Sequence, residues 1–304
     1  MRTALLSVYP WFLLPLLWLA GCASEAPPTR ADTRLRRDNY VVLLDLSDRL
    51  LQPGQLARDT ALIGRVIDAY RAGVAQKLYV GSADRLKVVV APQASHPAAV
   101  QALSQGLYLD LGQVALAQRR TLGGPLQALR HQVAALYAAA SQARSARAYA
   151  GAELWHYFRD QLALDFPTSP AYDDHNHLLV LTDGYLDFES YVGCRQAGHR
   201  YASTRFVAKL ATHGEQWPTL FRQAGYGLMP LPAPCPPALR NLQVVVAEVR
   251  PHAEYHLDIL RAVWQQWLQE SGLPAPLLLT QATDLATSRE AVARAFASSG
   301  GSSD

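Results

Sequence analysis

Two apolar segments that each end at an aspartate constrain the fold of this chain more than any other feature. Residues 40–44 are apolar throughout and are followed by Asp45, and residues 178–181 are apolar and are followed by Thr182 and Asp183. A continuous apolar run, without alternation of polar residues, is typical of a strand that is covered by helices on both faces of a parallel sheet. The two segments therefore predict central strands of such a sheet.

The rest of the chain alternates between strand-like and helix-like patterns. Residues 86–91, 242–247 and 277–279 predict further strands, whereas residues 107–111 alternate and predict an edge strand. Helical spacing of apolar residues predicts five further helical segments. They are a helix with an apolar face from Ile63 to Val74, a segment at 113–149 with a break at 123–125, a helix that begins at residue 154, a helix with an apolar face from Leu257 to Trp267, and a helix at 286–297. Strands that alternate with helices predict a single doubly wound α/β domain of the Rossmann type, with a mostly parallel sheet flanked by helices and an antiparallel edge strand.

Length and charge exclude several classes of protein. The chain has 304 residues and a formal net charge of +3, with 17% charged residues. It is long enough for one large domain with a sizeable core. The charge is too small for a nucleic-acid-binding surface, and no local cluster of Lys and Arg compensates for it. We therefore expect no nucleic-acid partner.

The amino terminus predicts export and a lipid anchor. An apolar run after Arg2 is interrupted by two prolines and is too short for a membrane span. It ends in Leu19-Ala20-Gly21-Cys22, which resembles the lipobox of bacterial lipoproteins, where the cysteine is acylated and becomes the first residue. We expect a signal peptide at 1–21, a lipid on Cys22 and a solvated tether at 22–37. An ordinary secretory leader with an incidental cysteine is the alternative.

The residues that follow the anchor and the remaining cysteines extend this prediction. Ala23 after the cysteine resembles the pattern that sorts lipoproteins to the outer membrane, on its periplasmic side. In that oxidising compartment Cys194 and Cys235 can form a disulfide, and two isolated thiols are the alternative. No CxxC motif or paired histidines accompany them, so a zinc site is not expected.

The two aspartate-ended strands also carry a family resemblance. Asp45-Leu46-Ser47-Asp48-Arg49, followed much later by Thr182-Asp183-Gly184, resembles the von Willebrand factor A family over residues 38–298, with an insertion at 185–240 and a tail at 299–304. In that family an Asp-x-Ser-x-Ser loop, a threonine and a second aspartate hold a divalent cation, and a carboxylate of a partner protein completes its coordination. The resemblance implies protein binding at the carboxyl ends of the strands.

The sequence departs from this pattern at two ligand positions. Arg49 stands where the second serine is expected, and Ala152 stands where the threonine is expected; Thr121 is a distant substitute. Asp45, Ser47 and Asp183 can still offer oxygen to Mg²⁺. Alternatively, Arg49 neutralises Asp45 and Asp183 without a metal, or the aspartates only cap the following helices. We expect Mg²⁺ affinity to be weak or absent.

The loop after Asp183 is the second candidate for partner binding. It combines aromatic and acidic residues, a composition that suits a protein interface: Tyr185, Asp187, Phe188, Glu189 and Tyr191. Packing within the loop is the alternative. The residues therefore predict a lipid-anchored envelope protein that binds an unidentified envelope protein and is not an enzyme.

An envelope hydrolase or phosphatase is the alternative function. Haloacid-dehalogenase-type phosphatases also begin with an apolar strand and an aspartate, which would make Asp45 the nucleophile. They need a second carboxylate two residues later as the general acid, and this chain has Ser47 there.

Overall fold

The computed structural model describes residues 34–93, 96–142, 151–188, 202–232 and 235–297. Several predictions concern residues outside these ranges. They are the signal peptide at 1–21, the lipidation of Cys22, most of the tether, the tail at 299–304, and the loop residues Glu189, Tyr191 and Cys194.

Within the described residues, six strands form one sheet in the order β3-β2-β1-β4-β5-β6. The strands are β1 (Leu35–Leu44), β2 (Arg85–Val90), β3 (Tyr108–Asp110), β4 (Tyr172–Leu181), β5 (Gln243–Val249) and β6 (Leu277–Thr280). Neighbouring strands are parallel except β2 and β3, which are antiparallel. The predicted mostly parallel sheet with an antiparallel edge strand is confirmed. Strand β1 begins at Leu35, which pairs with Tyr172, so the last three residues of the predicted tether belong to the sheet.

Helices cover both faces of the sheet. In the described part of the chain they are α1 (Gln55–Gln76), α2 (Ala98–Ser104), α3 (Gly123–Ala140), α4 (Leu154–Asp160), α5 (Leu162–Asp165), α6 (Thr204–Ala211), α7 (Trp217–Gln223), α8 (His256–Glu270) and α9 (Leu285–Ala297). The break predicted at 123–125 is the start of α3. Pro125 lies in the first turn of the helix, where a backbone N–H has no partner within the helix, so the N–H that proline lacks is not missed there. Helices α6 and α7 lie in the insertion at 185–240.

The core has two layers because the side chains of β1 alternate. Val41 and Leu43 pack into the layer that contains α4, α6 and α8. Val42 and Leu44 pack into the layer that contains α1, α3 and α9. A strand that is buried on both sides must be apolar at every position, which accounts for the uninterrupted run in the sequence. No helix among the described residues is long and apolar enough to cross a membrane.

The strand order determines where a site can form. Strands β1 and β4 are neighbours, and the chain winds outward from them in opposite directions, through β2 and β3 on one side and β5 and β6 on the other. A crevice opens outside the carboxyl ends of the strands at such a reversal. Asp45 and Asp183 follow β1 and β4, so both lie at this crevice.

Candidate functional site

A cleft of about 360 Å³ lies at the carboxyl ends of β1, β4 and β5. Its lining includes the four residues predicted from the two strand-end motifs: Asp45, Ser47, Arg49 and Asp183. The sequence therefore identified residues that the fold brings together from two distant segments.

Asp45 organises the floor of this cleft and is 2% exposed. Its Oδ1 accepts a hydrogen bond from the backbone N–H of Ser47 at 2.9 Å, and its Oδ2 accepts one from the hydroxyl of Thr182 at 2.7 Å. The hydroxyl of Thr182 in turn accepts from the N–H of Gly184 at 3.2 Å. Both carboxylate oxygens thus hold together the loops that follow β1 and β4.

Asp183 is the electrostatically unusual residue of the site. Burial and the nearby charge of Asp45 raise the pKa of Asp183 to about 7, and Arg49 and the N–H of Tyr185 offset this only in part. Two close carboxylates without a dedicated cation favour a proton on one of them.

Arg49 is buried, and the carboxylate that it pairs with is Asp59. Its Nη1 and Nη2 donate to Asp59 of α1 at 2.7 and 3.0 Å, and its only bond to Asp45 is to the backbone oxygen at 3.2 Å. A carboxylate that faces the guanidinium fork accepts two parallel hydrogen bonds, which outcompetes a more distant charge. Among the described contacts Arg49 makes no side-chain hydrogen bond to Asp45 or Asp183, although its charge lowers the pKa of Asp183. The interpretation that Arg49 neutralises the two aspartates in place of a metal stays a prediction.

The loop before α4 occupies the place expected for the threonine ligand. Gly151 and Ala152 line the cleft, so this part of the chain approaches the site with a methyl group instead of a hydroxyl. A side chain at 151 would overlap the backbone carbonyl of Asp187, so this approach requires glycine. Thr121 does not substitute, because it is exposed in a short turn of helix and donates to the carbonyl of Gln118.

These residues do not fit a tightly held divalent cation. Two oxygen donors of the motif are replaced by Arg49 and Ala152, which leaves Asp45, Ser47 and Asp183 as the retained donors of the motif. Among the described residues, no group of three or more His, Cys, Asp or Glu side chains is arranged to hold a metal. The charge of Asp45 and Asp183 is left for some other positive group to balance.

The loop after Asp183 packs mostly against the domain. Tyr185 and Phe188 are 4% and 6% exposed and belong to the core, and Tyr185 also contributes to the lining of the cleft. The hydroxyl of Tyr185 pairs with Nδ1 of His256 at 2.6 Å and accepts from the N–H of His252 at 3.0 Å. Asp187 is exposed, but its carboxylate accepts from the backbone N–H and the hydroxyl of Thr204. The burial of the two aromatics favours packing within the loop, and partner binding by this loop stays a prediction.

A buried polar network beneath the cleft was missed in the sequence. It contains Asp59, fully buried, and Glu248, 2% exposed. Glu248 accepts from Arg58 at 2.6 and 3.1 Å and from Gln281 at 2.9 Å, and it has a φ of +68° beside a bulge in β5. The available signal was a charged residue inside an apolar pattern: Asp59 on the face of α1 that carries Ile63, and Glu248 within the apolar run of β5.

The mouth of the cleft is mostly acidic. Asp48 and Asp187 stand there with Arg250 and His252. Partial burial and the charges of Asp45 and Asp187 raise the pKa of Asp48, which indicates crowded carboxylates. Burial and Arg250 lower the pKa of His252, so this side chain is neutral at pH 7. Apart from Glu248, which is paired with Arg58, four carboxylates line the cleft. Of the two arginines in its lining, Arg49 is paired with Asp59, and Arg250 has no ion pair among the described residues.

The predicted disulfide has no support in the described residues. Cys235 is a free thiol, and its Sγ donates to the carbonyl of Pro236 at 3.5 Å. Its predicted partner Cys194 lies outside the described ranges, so the pairing stays a prediction.

Comparison with known proteins does not assign a family. No family model and no curated protein matches the chain. Among solved structures, the chain is similar to the pilus adhesin SpaC from Lactobacillus rhamnosus GG in its open conformation, with 13% sequence identity and a TM-score of 0.39. The match covers 86% of this chain and 30% of the adhesin. A similarity of this extent identifies neither a fold family nor a function.

Proposed function

We propose that this chain is a lipid-anchored envelope protein whose A-type domain binds another protein through the cleft at the carboxyl ends of β1 and β4. The observation that carries the proposal is the charge of that cleft. Asp45, Asp48, Asp183 and Asp187 line it, and the buried arginine that would neutralise them is paired with Asp59. An acidic cleft complements a basic side chain of a partner, so we assign a lysine or arginine of an envelope protein as the group bound.

The fold supports the A-type interpretation. The mostly parallel sheet, its antiparallel edge strand and the two strand-end aspartates agree with what the resemblance implies. Lipidation at Cys22 and the outer-membrane location rest on the Leu19-Ala20-Gly21-Cys22 sequence and on Ala23.

The hydrolase alternative has less support from the geometry. A nucleophilic aspartate must reach its substrate, and Asp45 is 2% exposed with each oxygen held by a hydrogen bond from a loop. The side chain two residues later is the hydroxyl of Ser47, which is not a carboxylic acid.

Capture from envelope extract tests the proposal. Immobilised wild-type protein is compared with Asp48→Lys, which reverses one exposed charge at the cleft mouth. The matched control is Glu290→Lys, the same kind of reversal on an exposed residue of α9. We expect Asp48→Lys to lose the captured protein and Glu290→Lys to retain it. Equal capture by all three proteins would mean that the partner does not bind at the cleft.

Two further measurements separate the alternatives. Capture is repeated with a chelator, and loss of binding there would show that a divalent cation completes the site and that our assignment of a basic group is wrong. A phosphatase assay of wild-type protein and Asp45→Asn tests catalysis. Turnover that depends on Asp45 would replace the binding proposal with the hydrolase.

A further inference from the structure

Three exposed apolar side chains lie on two adjoining loops at the end of the sheet opposite the cleft. Leu78 is 77% exposed, Val80 is 52% exposed and Leu116 is 56% exposed. The first two precede β2, and Leu116 follows the antiparallel strand β3, so all three lie where the parallel strands begin. We call these three residues the amino-edge patch. Single exposed leucines are common, but a cluster of large apolar side chains marks a contact surface.

Arg119 holds the two loops of the patch together. Its Nη1 donates to the carbonyls of Val80 at 3.1 Å and Ser82 at 2.8 Å, and its Nε donates to the carbonyl of Val114 at 2.9 Å. These bonds tie the segment that carries Leu116 to the turn that carries Leu78 and Val80. The patch is therefore one fixed surface.

The turn before β2 keeps its two apolar side chains in solvent by an unfavourable backbone conformation. Leu78 and Tyr79 have φ of +54° and +62°, a region that residues other than glycine seldom occupy. The neighbouring residue Lys77 fixes the turn from one side, since its Nζ bonds Asp38 and Asp84 at 2.6 Å each. Tyr79 packs against the core while Leu78 and Val80 point outward.

The surroundings of the patch are basic. Lys77 is balanced by Asp38 and Asp84, whereas no ion pair among the described residues involves Arg71, Arg119 or Arg120. The three bonds of Arg119 given above all go to carbonyl oxygens, so they leave its charge without a carboxylate. Apolar side chains flanked by uncompensated arginines suit the interface of a bilayer, where the former enter the headgroup region and the latter face lipid phosphates.

We infer that this edge of the domain rests on an anionic lipid surface, with Leu78, Val80 and Leu116 in the headgroup region. The inference rests on the lipid anchor of the proposed function. Strand β1 begins at the same edge, and Leu35 at its start is 57% exposed. Twelve residues separate Cys22 from Leu35, and such a stretch spans at most about 43 Å. An anchored domain therefore stays close to the bilayer, and its attachment point is on the patch edge.

This placement also orients the cleft. Strand β1 has ten residues, which rise about 33 Å from the patch edge to the cleft. With the patch on lipid, the acidic cleft faces away from the bilayer and is open to a protein partner.

Hydrogen exchange of the full chain on vesicles tests the inference. The protein is reconstituted in vesicles of phosphatidylethanolamine with phosphatidylglycerol, and in vesicles of phosphatidylcholine alone. Amides at 113–118 should exchange roughly tenfold more slowly on the anionic vesicles. The double variant Leu78→Ser/Val80→Ser should abolish that protection although it leaves residues 113–118 unchanged. Leu51→Ser is the matched control, because Leu51 is 45% exposed in the turn that follows β1 at the opposite, cleft end of the sheet, and this variant should keep the protection.

Each other outcome overturns a defined part of this inference. If the chain floats with vesicles but residues 113–118 are not protected, the lipid contact is wrong and the anchor stands. If the chain does not float, the anchor fails and the contact fails with it. Protection that rises with the ratio of protein to lipid would show that a second copy of the chain covers the patch. Equal protection on phosphatidylcholine would overturn the assignment of the arginines to anionic lipid.

Discussion

The buried pair of Arg49 and Asp59 gives the sharpest test of how this site is built. The two side chains are 2% and 0% exposed and share two hydrogen bonds of 2.7 and 3.0 Å. Asp59 also accepts from Gln55 at 2.8 Å and from the hydroxyl of Tyr137 at 2.9 Å. Removing one partner of such a pair leaves a buried charge without compensation, which costs about 3–5 kcal/mol of unfolding free energy.

Arg49→Met is the direct perturbation, because methionine keeps much of the volume and removes the charge. We expect a loss of about 3–5 kcal/mol, which lowers the melting temperature by roughly 6–20 °C for a domain of this size. Asp59→Asn should cost a similar amount, since it leaves the cation buried. The double variant removes both charges and should cost only about 1–2 kcal/mol, less than either single change.

Urea unfolding followed by tryptophan fluorescence measures all three variants. Arg65→Met is the matched control. Arg65 lies on α1, the helix that carries Asp59, and forms an exposed pair with Asp68 at 4.0 Å. Such a pair contributes no more than about 1 kcal/mol. If Arg49→Met is as stable as Arg65→Met, or if the double variant loses the sum of the single losses, Arg49 does not form the buried pair described above.

Three further predictions concern the site and the anchor. An aspartate in an unfolded chain has a pKa near 3.9, whereas the pKa of Asp183 in the folded chain is about 7. The folded chain therefore binds a proton that the unfolded chain has lost, and the free energy of unfolding should fall as the pH rises from about 4 to 7. Asp183→Asn should remove this pH dependence, measured as the difference between urea midpoints at about pH 5 and about pH 8, and an unchanged difference would contradict the prediction. Cys22→Ser should no longer incorporate labelled palmitate, and labelling equal to that of wild type would exclude Cys22 as the anchor. Peptide mapping without reductant, on protein taken from the periplasm, should join Cys194 to Cys235, whereas alkylation of both thiols would rule out the disulfide.

The sheet could be predicted from the sequence because burial on both faces leaves a clear pattern. Strands β1, β4 and β5 are apolar at consecutive positions, and β3 alternates as an edge strand does. The position of Asp45 and Asp183 followed from topology alone, since the carboxyl ends of neighbouring parallel strands meet.

The partner of Arg49 could not be predicted in the same way. Asp45, Asp59 and Asp183 were all available, and the choice depends on how α1 is rotated against β1. The aromatic residues of the loop after Asp183 show a second limit. Aromatic side chains such as Tyr185 and Phe188 are common both at interfaces and in cores. Only the packing of that loop shows that both belong to the core.

The pairing of Arg49 with Asp59 determines the sign of the charge that we propose for the partner group. In the family that the motif resembles, a bound cation gives the site a positive charge, and a partner carboxylate completes it. Here the guanidinium of Arg49 is buried and paired with Asp59, while the carboxylates of Asp45, Asp48, Asp183 and Asp187 line the cleft. We therefore expect the proposed partner to present a basic group and not a carboxylate, because the attraction between cleft and partner depends on the uncompensated charge. A carboxylate-bearing partner would meet repulsion from Asp45 and Asp183, whereas a lysine or arginine would both balance their charge and remove the need for the proton on Asp183.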